Sequence, residues 1–119
     1  MAPREVQGGR WCSIEIPVVA TPQPGQVCAR LNGELDISTV ATARDRVAEL
    51  THEASDLVLD LRGLSFIDST GLQFLLRLAA DSTRDGWSLA VIPGPSAVQR
   101  IFQLTGTEER LPFKGLPET

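Results

Sequence analysis

Hydrophobic and polar residues alternate from Trp11 to Val19. Cys12, Ile14, Ile16 and Val18 fall on one side, and Ser13, Glu15 and Pro17 on the other. Period two predicts a half-buried strand. Pro17 has no N–H to give to a ladder, which suits a sheet edge. Thr21 to Gln26 reads TPQPGQ, which is turn chemistry. Val27, Ala29 and Leu31 then alternate with Cys28, Arg30 and Asn32, so the chain opens with a β-hairpin or with two strands on a slightly longer loop. Gly33-Glu34-Leu35-Asp36 reads as a turn.

Beyond it the period changes. Val40, Ala43, Val47 and Leu50 recur every three or four residues, the apolar stripe of a helix running to about Glu53. Ser38 or Thr39 is available to cap it. Leu57 to Leu61 is apolar at all positions but Asp60, the pattern of a strand covered on both faces in a parallel sheet. A loop from Arg62 to Ser69 and a helix from Asp68 to about Arg84 follow, and Gly86 can close that helix in the left-handed conformation. Trp87 to Ile92 reads as a strand and Pro93-Gly94-Pro95 as a loop. Ser96, with Gln99 as capping-box partner, starts a third helix whose apolar side is Ala97, Val98, Ile101, Phe102 and Leu104. Gly106 stops it, and Leu111 to Phe113 reads as a last short strand.

The order β-β-α-β-α-β-α-β predicts an α/β domain. Right-handed crossovers lay down a mostly parallel sheet of four or five strands, with the first strand antiparallel at the edge. The domain is expected over residues 10–114, with a flexible arm over 1–9 and a tail over 115–119.

Composition narrows the function. A chain of 119 residues suits one domain with a real core. The net charge is −4 and no basic cluster occurs, which argues against nucleic acid as a partner. Cys12 and Cys28 would not face each other across the hairpin, and two thiols without a signal sequence fit a reducing compartment, so a cytoplasmic protein is expected. No apolar run approaches the roughly 18 residues that span a membrane.

In such sheets functional loops gather at the carboxyl ends of the strands. There the sequence reads Asp68-Ser69-Thr70-Gly71 at a helix start. A helix cap needs one polar residue. The run of acid, two hydroxyls and glycine suggests more: Ser69 can receive a phosphoryl group, and Gly71 would let another protein approach closely. A helix N-terminus tolerates a dianion, so the modification need not unfold the domain. Leu72, Leu75, Leu76 and Ala79 should face the sheet. Phe74 and Leu78 lie on the opposite side, either under a neighbouring helix or as an exposed apolar pair that anchors a partner.

Catalysis is the weaker reading. His52 lies near the far end of the first helix among charged residues, so Ser69 lacks a general base. The surrounding sequence is not a G-x-S-x-G elbow, and there is no Walker-type loop. Asp36, Asp60 and Asp68 are joined by no His or Cys, so no metal site is expected, and no residue demands a cofactor.

VCARLNGELDIST (Val27 to Thr39), LVLDLRGLSFIDSTGL (Leu57 to Leu72), LAVIPGPSAVQRIFQLTG (Leu89 to Gly106) and the following LPF occur here in order. With them the chain resembles the STAS-domain family, and within it the bacterial anti-anti-sigma factors, or anti-sigma factor antagonists. The resemblance covers roughly Cys12 to Phe113. It implies a non-enzymatic protein whose unmodified form binds an anti-sigma factor serine kinase and frees a sigma factor. Phosphorylation at Ser69 would break the complex, and a metal-dependent serine phosphatase would restore it. Glu34, Asp36, Asp68, Ser69, Thr70, Gly71, Phe74 and Leu78 are the expected partner-binding residues. Thr70 stands where a second Ser is frequent and is a minor alternative phosphosite. Many relatives add a further helix after the last strand, so self-association as a weak homodimer could cover the sheet here. The competing reading is a scaffold or transport-accessory STAS domain that binds another protein without a phospho-switch.

Overall fold

The computed structural model describes residues 12–15, 25–52 and 56–114. The expected arm and tail, Pro17, most of the hairpin turn and the end of the first helix near Glu53 lie outside the described residues. The strands are β1 (Cys12–Glu15), β2 (Gln26–Leu35), β3 (Asp56–Ile67) and β4 (Ser88–Ile92). The helices are α1 (Val40–Thr51), α2 (Ser69–Asp85) and α3 (Ser96–Thr105), followed by a short 3-10 turn, Glu108–Arg110, that the sequence reading missed.

The sheet order is β1-β2-β3-β4. β1 runs antiparallel to β2, and the other pairs are parallel. This is the expected mixed sheet with an antiparallel edge. Register sets Ile14 beside Leu31, Ala29 beside Leu59, and Leu59 beside Val91, so these residues line one face. Val40, Ala43 and Val47 of α1, Leu72 and Leu75 of α2, and Val98 and Phe102 of α3 join them in a single core. The neighbouring row, Cys28-Val58-Ala90 and Arg30-Asp60-Ile92, points the other way.

Two strands are longer than their hydrophobic pattern suggested. β2 continues through Gly33, Glu34 and Leu35, where a turn was expected, and β3 through Arg62 to Ile67, where a loop was expected. The extensions pair with each other across register shifts between Arg30 and Asn32 and between Gly33 and Glu34. Each shift inserts a residue and breaks the period of two, so the sequence there stops looking like strand. Gly33, at φ 97°, takes a conformation open to glycine at little cost.

The helix ends differ in detail. Neither Ser38 nor Thr39 caps α1 through its side chain; the Asp36 carbonyl accepts from Val40 N at 2.8 Å instead. Ser96 lies inside α3, Pro95 takes the cap position, and Gln99 Oε1 accepts from Gly94 N at 2.9 Å. Ala97 and Leu104 are exposed rather than on the core side of α3. Gly86 closes α2 in the left-handed conformation, as expected, and Gly106, expected to stop α3, does so in the same conformation. The final strand reduces to one parallel bridge, Val91 to Phe113, with the Phe113 ring edge-on to Phe102 at 5.2 Å.

Candidate functional site

The carboxyl ends of β2 and β3 lie side by side, with Leu35 paired to Ile67. Each leads directly to the start of a helix. Asp68 N donates to Leu35 O at 3.2 Å, fixing the entry to α2. The Asp68 carboxylate then does two jobs. Its Oδ1 accepts from Gly71 N at 2.9 Å, capping α2. Its Oδ2 accepts from Ile37 N at 3.1 Å, tying α2 to the β2–α1 loop.

Ser69 follows the cap and is exposed, and no described residue shares a hydrogen bond with its hydroxyl. Thr70 is half-buried. Gly71 is buried, and its closest neighbours are internal. A Cβ added there would come within 2.5 Å of Leu35 O and 2.9 Å of Ile67 Cγ1. The glycine therefore seats α2 on the end of β2; it is not the bare surface for a partner that the sequence suggested.

Asp36 is only 3% exposed, which corrects its reading as a surface contact. Its Oδ1 accepts from Ser38 N at 2.9 Å and from Ser38 Oγ at 2.6 Å. Thr39 Oγ1 accepts from Asp36 N at 3.0 Å and donates to Glu34 O at 2.6 Å. Glu34 is half-buried on β2. This network ties the loop together and leaves one large apolar side chain facing outward. Ile37 is 76% exposed beside Asp68. Sequence reasoning missed it, although a lone Ile between Asp36 and Ser38 in a polar turn was the available signal.

Phe74 and Leu78 are each 8% exposed, so they are not an exposed pair. With Arg44 and Val47 of α1, and with Thr70 and Trp87, they line a groove of about 540 Å³.

The geometry offers a surface more readily than a catalytic centre. His52 is exposed at the far end of α1, away from Ser69. No group of metal-ligating side chains occurs among the described residues. Burial, assisted by the charge of Asp36, pushes the Cys12 thiol up to about 11. Burial first and Asp60 second also raise Cys28. Both cysteines are free thiols, and both stay protonated near neutral pH. No helix among the described residues is long and apolar enough to cross a membrane.

The family model described as "Mlab, STAS domain" matches residues 19–116, and the chain belongs to the STAS domain family. Its relatives narrow the likeness further. The anti-sigma F factor antagonist of Paenibacillus polymyxa is 30% identical over 91 residues, covering 75% of this chain and 78% of that one. The anti-sigma-B factor antagonist of Bacillus subtilis is 24% identical over 96 residues, 81% of this chain and 88% of that one. Among solved structures, the anti-sigma factor antagonist SpoIIAA in its unphosphorylated form has a TM-score of 0.68 at 20% identity, covering 89% and 90% of the two chains. The same fold forms part of the murine anion transporter Solute Carrier 26 family member A9, with a TM-score of 0.67 at 20% identity, covering 88% of this chain and 20% of that one.

Proposed function

We propose that this chain is an anti-sigma factor antagonist governed by phosphorylation of Ser69. In its unmodified form it binds an anti-sigma factor that is also a serine kinase, and a sigma factor is released. The kinase phosphorylates Ser69 and the complex parts; a serine phosphatase resets it. The protein acts in the cytoplasm by binding, without catalysis of its own.

One observation carries this reading: Ser69 is exposed at the first position of α2, directly after a capping carboxylate that also holds the neighbouring loop. A phosphate there adds about −1.5 to −2 charges next to Asp68. The helix start favours an anion, so the domain stays folded. A partner seated on that surface meets the new charge and its hydration. Thr70 is less accessible, which favours Ser69 as the acceptor.

The test uses the chain as bait in native cytosol, with and without ATP, and mass spectrometry of the Asp68–Arg77 peptide. An anti-sigma factor retained without ATP, and released with ATP as phosphate appears on Ser69, is the expected result. Ser69→Asp should abolish binding with an unchanged circular dichroism spectrum. Stable retention of a permease or scaffold, with no response to any kinase, would instead support the transport-accessory reading.

A further inference from the structure

Among the large hydrophobic side chains that reach solvent, Ile37 at 76% and Leu104 at 70% stand out. A single exposed apolar residue is ordinary on a protein surface. Leu104 is such a residue, near the end of α3. Ile37 differs in two ways. Its backbone is held by hydrogen bonds: its own N–H donates to Asp68, and its neighbours Asp36 and Ser38 are bonded to each other. The carboxylate that holds it also belongs to the residue before Ser69.

We infer that Ile37 is the apolar anchor by which the kinase that modifies Ser69 grips this chain. Recognition is then of a discontinuous pair on the folded surface, Ile37 from the β2–α1 loop and Ser69 from the start of α2. It is not recognition of the linear sequence around the serine. This rests on the proposed role of Ser69 and adds what the partner must possess: an apolar socket placed beside its phosphoryl-transfer site.

Three physical arguments support the pair. The fold does not need the Ile37 side chain, because no core contact uses it. A pre-set loop loses little entropy on docking, so burial of the side chain is converted efficiently into affinity. The pair also accounts for the release step. The γ-phosphoryl group passes from ATP to Ser69 Oγ; the new O–P bond forms as the bond to ADP breaks, and the hydroxyl proton goes to a base of the kinase. The product is a strongly hydrated dianion at the rim of an apolar contact, which stays closed only if that charge is desolvated.

The test takes the purified kinase that phosphorylates the wild-type chain on Ser69 and measures binding and kcat/KM for Ile37→Ala, Ile37→Val and Ile37→Asp, and for a synthetic peptide covering 62–77. Thermal melts verify that each variant is folded. Ile37→Ala is expected to weaken binding and lower kcat/KM by roughly ten- to a hundredfold, the size of one large side chain left unburied. Ile37→Val should stay within about fivefold of wild type. Ile37→Asp and the peptide should be very poor substrates. Folded Ile37→Ala and Ile37→Asp modified at the wild-type rate, or a peptide as good as the protein, would overturn the anchor and leave the role of Ser69 standing. Failure of every kinase to modify the wild-type chain would overturn both.

Discussion

Ile37 and Asp68, 31 positions apart in sequence, are joined by a hydrogen bond of 3.1 Å from the Ile37 amide to Asp68 Oδ2. The other oxygen of the same carboxylate caps α2 through Gly71 N at 2.9 Å. One side chain therefore ties together the start of α2 and the loop beside it. Serine caps helices about as well as aspartate but has one oxygen. Asp68→Ser should keep the cap and lose the tether. Its stability is expected within about 1 kcal/mol of wild type, and Asp68→Ala should lose about 1–3 kcal/mol. Urea unfolding measures both. Amide hydrogen exchange at Ile37 should quicken in either variant, because the tether is gone in both.

Gly71→Ala tests how closely α2 is seated. The added methyl meets Leu35 O at 2.5 Å and both Ile67 Cγ1 and Leu35 Cγ at 2.9 Å, and the first of these is backbone that cannot turn aside. The expected cost is about 1–3 kcal/mol, read as a lower urea midpoint at unchanged m-value. Partner binding should weaken as well, because Ser69 moves with the helix start.

Ser69→Asp should separate binding from stability. The first turn of α2 holds no acidic residue, and a negative charge there is favoured by the helix dipole. Repulsion from Asp68 offsets part of that gain. Thermal unfolding should shift by no more than the equivalent of ~1 kcal/mol. Affinity for the anti-sigma factor should fall beyond detection in the same preparation.

Asp60 predicts how the domain responds to acid. Burial raises the pKa of its carboxyl, but hydrogen bonds and charge from Arg62, at 2.8 Å, and the charge of Arg30 outweigh it, so the net displacement is downward. A lowered folded pKa contributes stability above the unfolded carboxyl value of about 3.9, and that contribution is lost as pH falls through the folded value. Asp60→Asn should therefore lower stability at pH 7 and flatten its decline below about pH 4. Urea titrations at a series of pH values give both numbers.

The sequence made the frame of the domain readable where its periods are clean. Val40, Ala43 and Val47 are all buried, and so are Leu57, Leu59 and Leu61. Reading failed where two chain segments alter each other. Arg62 to Ile67 loses its alternation because the register against β2 shifts twice, and no local pattern records a shift set by the partner strand. Phe74 and Leu78 could be given a side of α2 but no environment, because their burial is with residues of other elements, Val47 of α1 among them. Asp36 was read as a contact because Gly33-Glu34-Leu35-Asp36 reads as a turn, whereas its burial, at 3% exposed, belongs to the folded loop. The position of Ser69 was legible, since cap, hydroxyl and helix start are consecutive. The outward turn of Ile37 was not, because it depends on a bond to a residue in another loop.

The hydrogen bonds that join the β2–α1 loop to the Asp68 cap come from residues between Glu34 and Gly71, in two successive strand-to-helix junctions. β4 and α3 contribute to the core and to none of these bonds. The hydrogen-bond network beside Ser69 is thus confined to one stretch of chain. Substitutions on the outer faces of β4 and α3 are expected to leave the hydrogen bonds beside Ser69 unchanged.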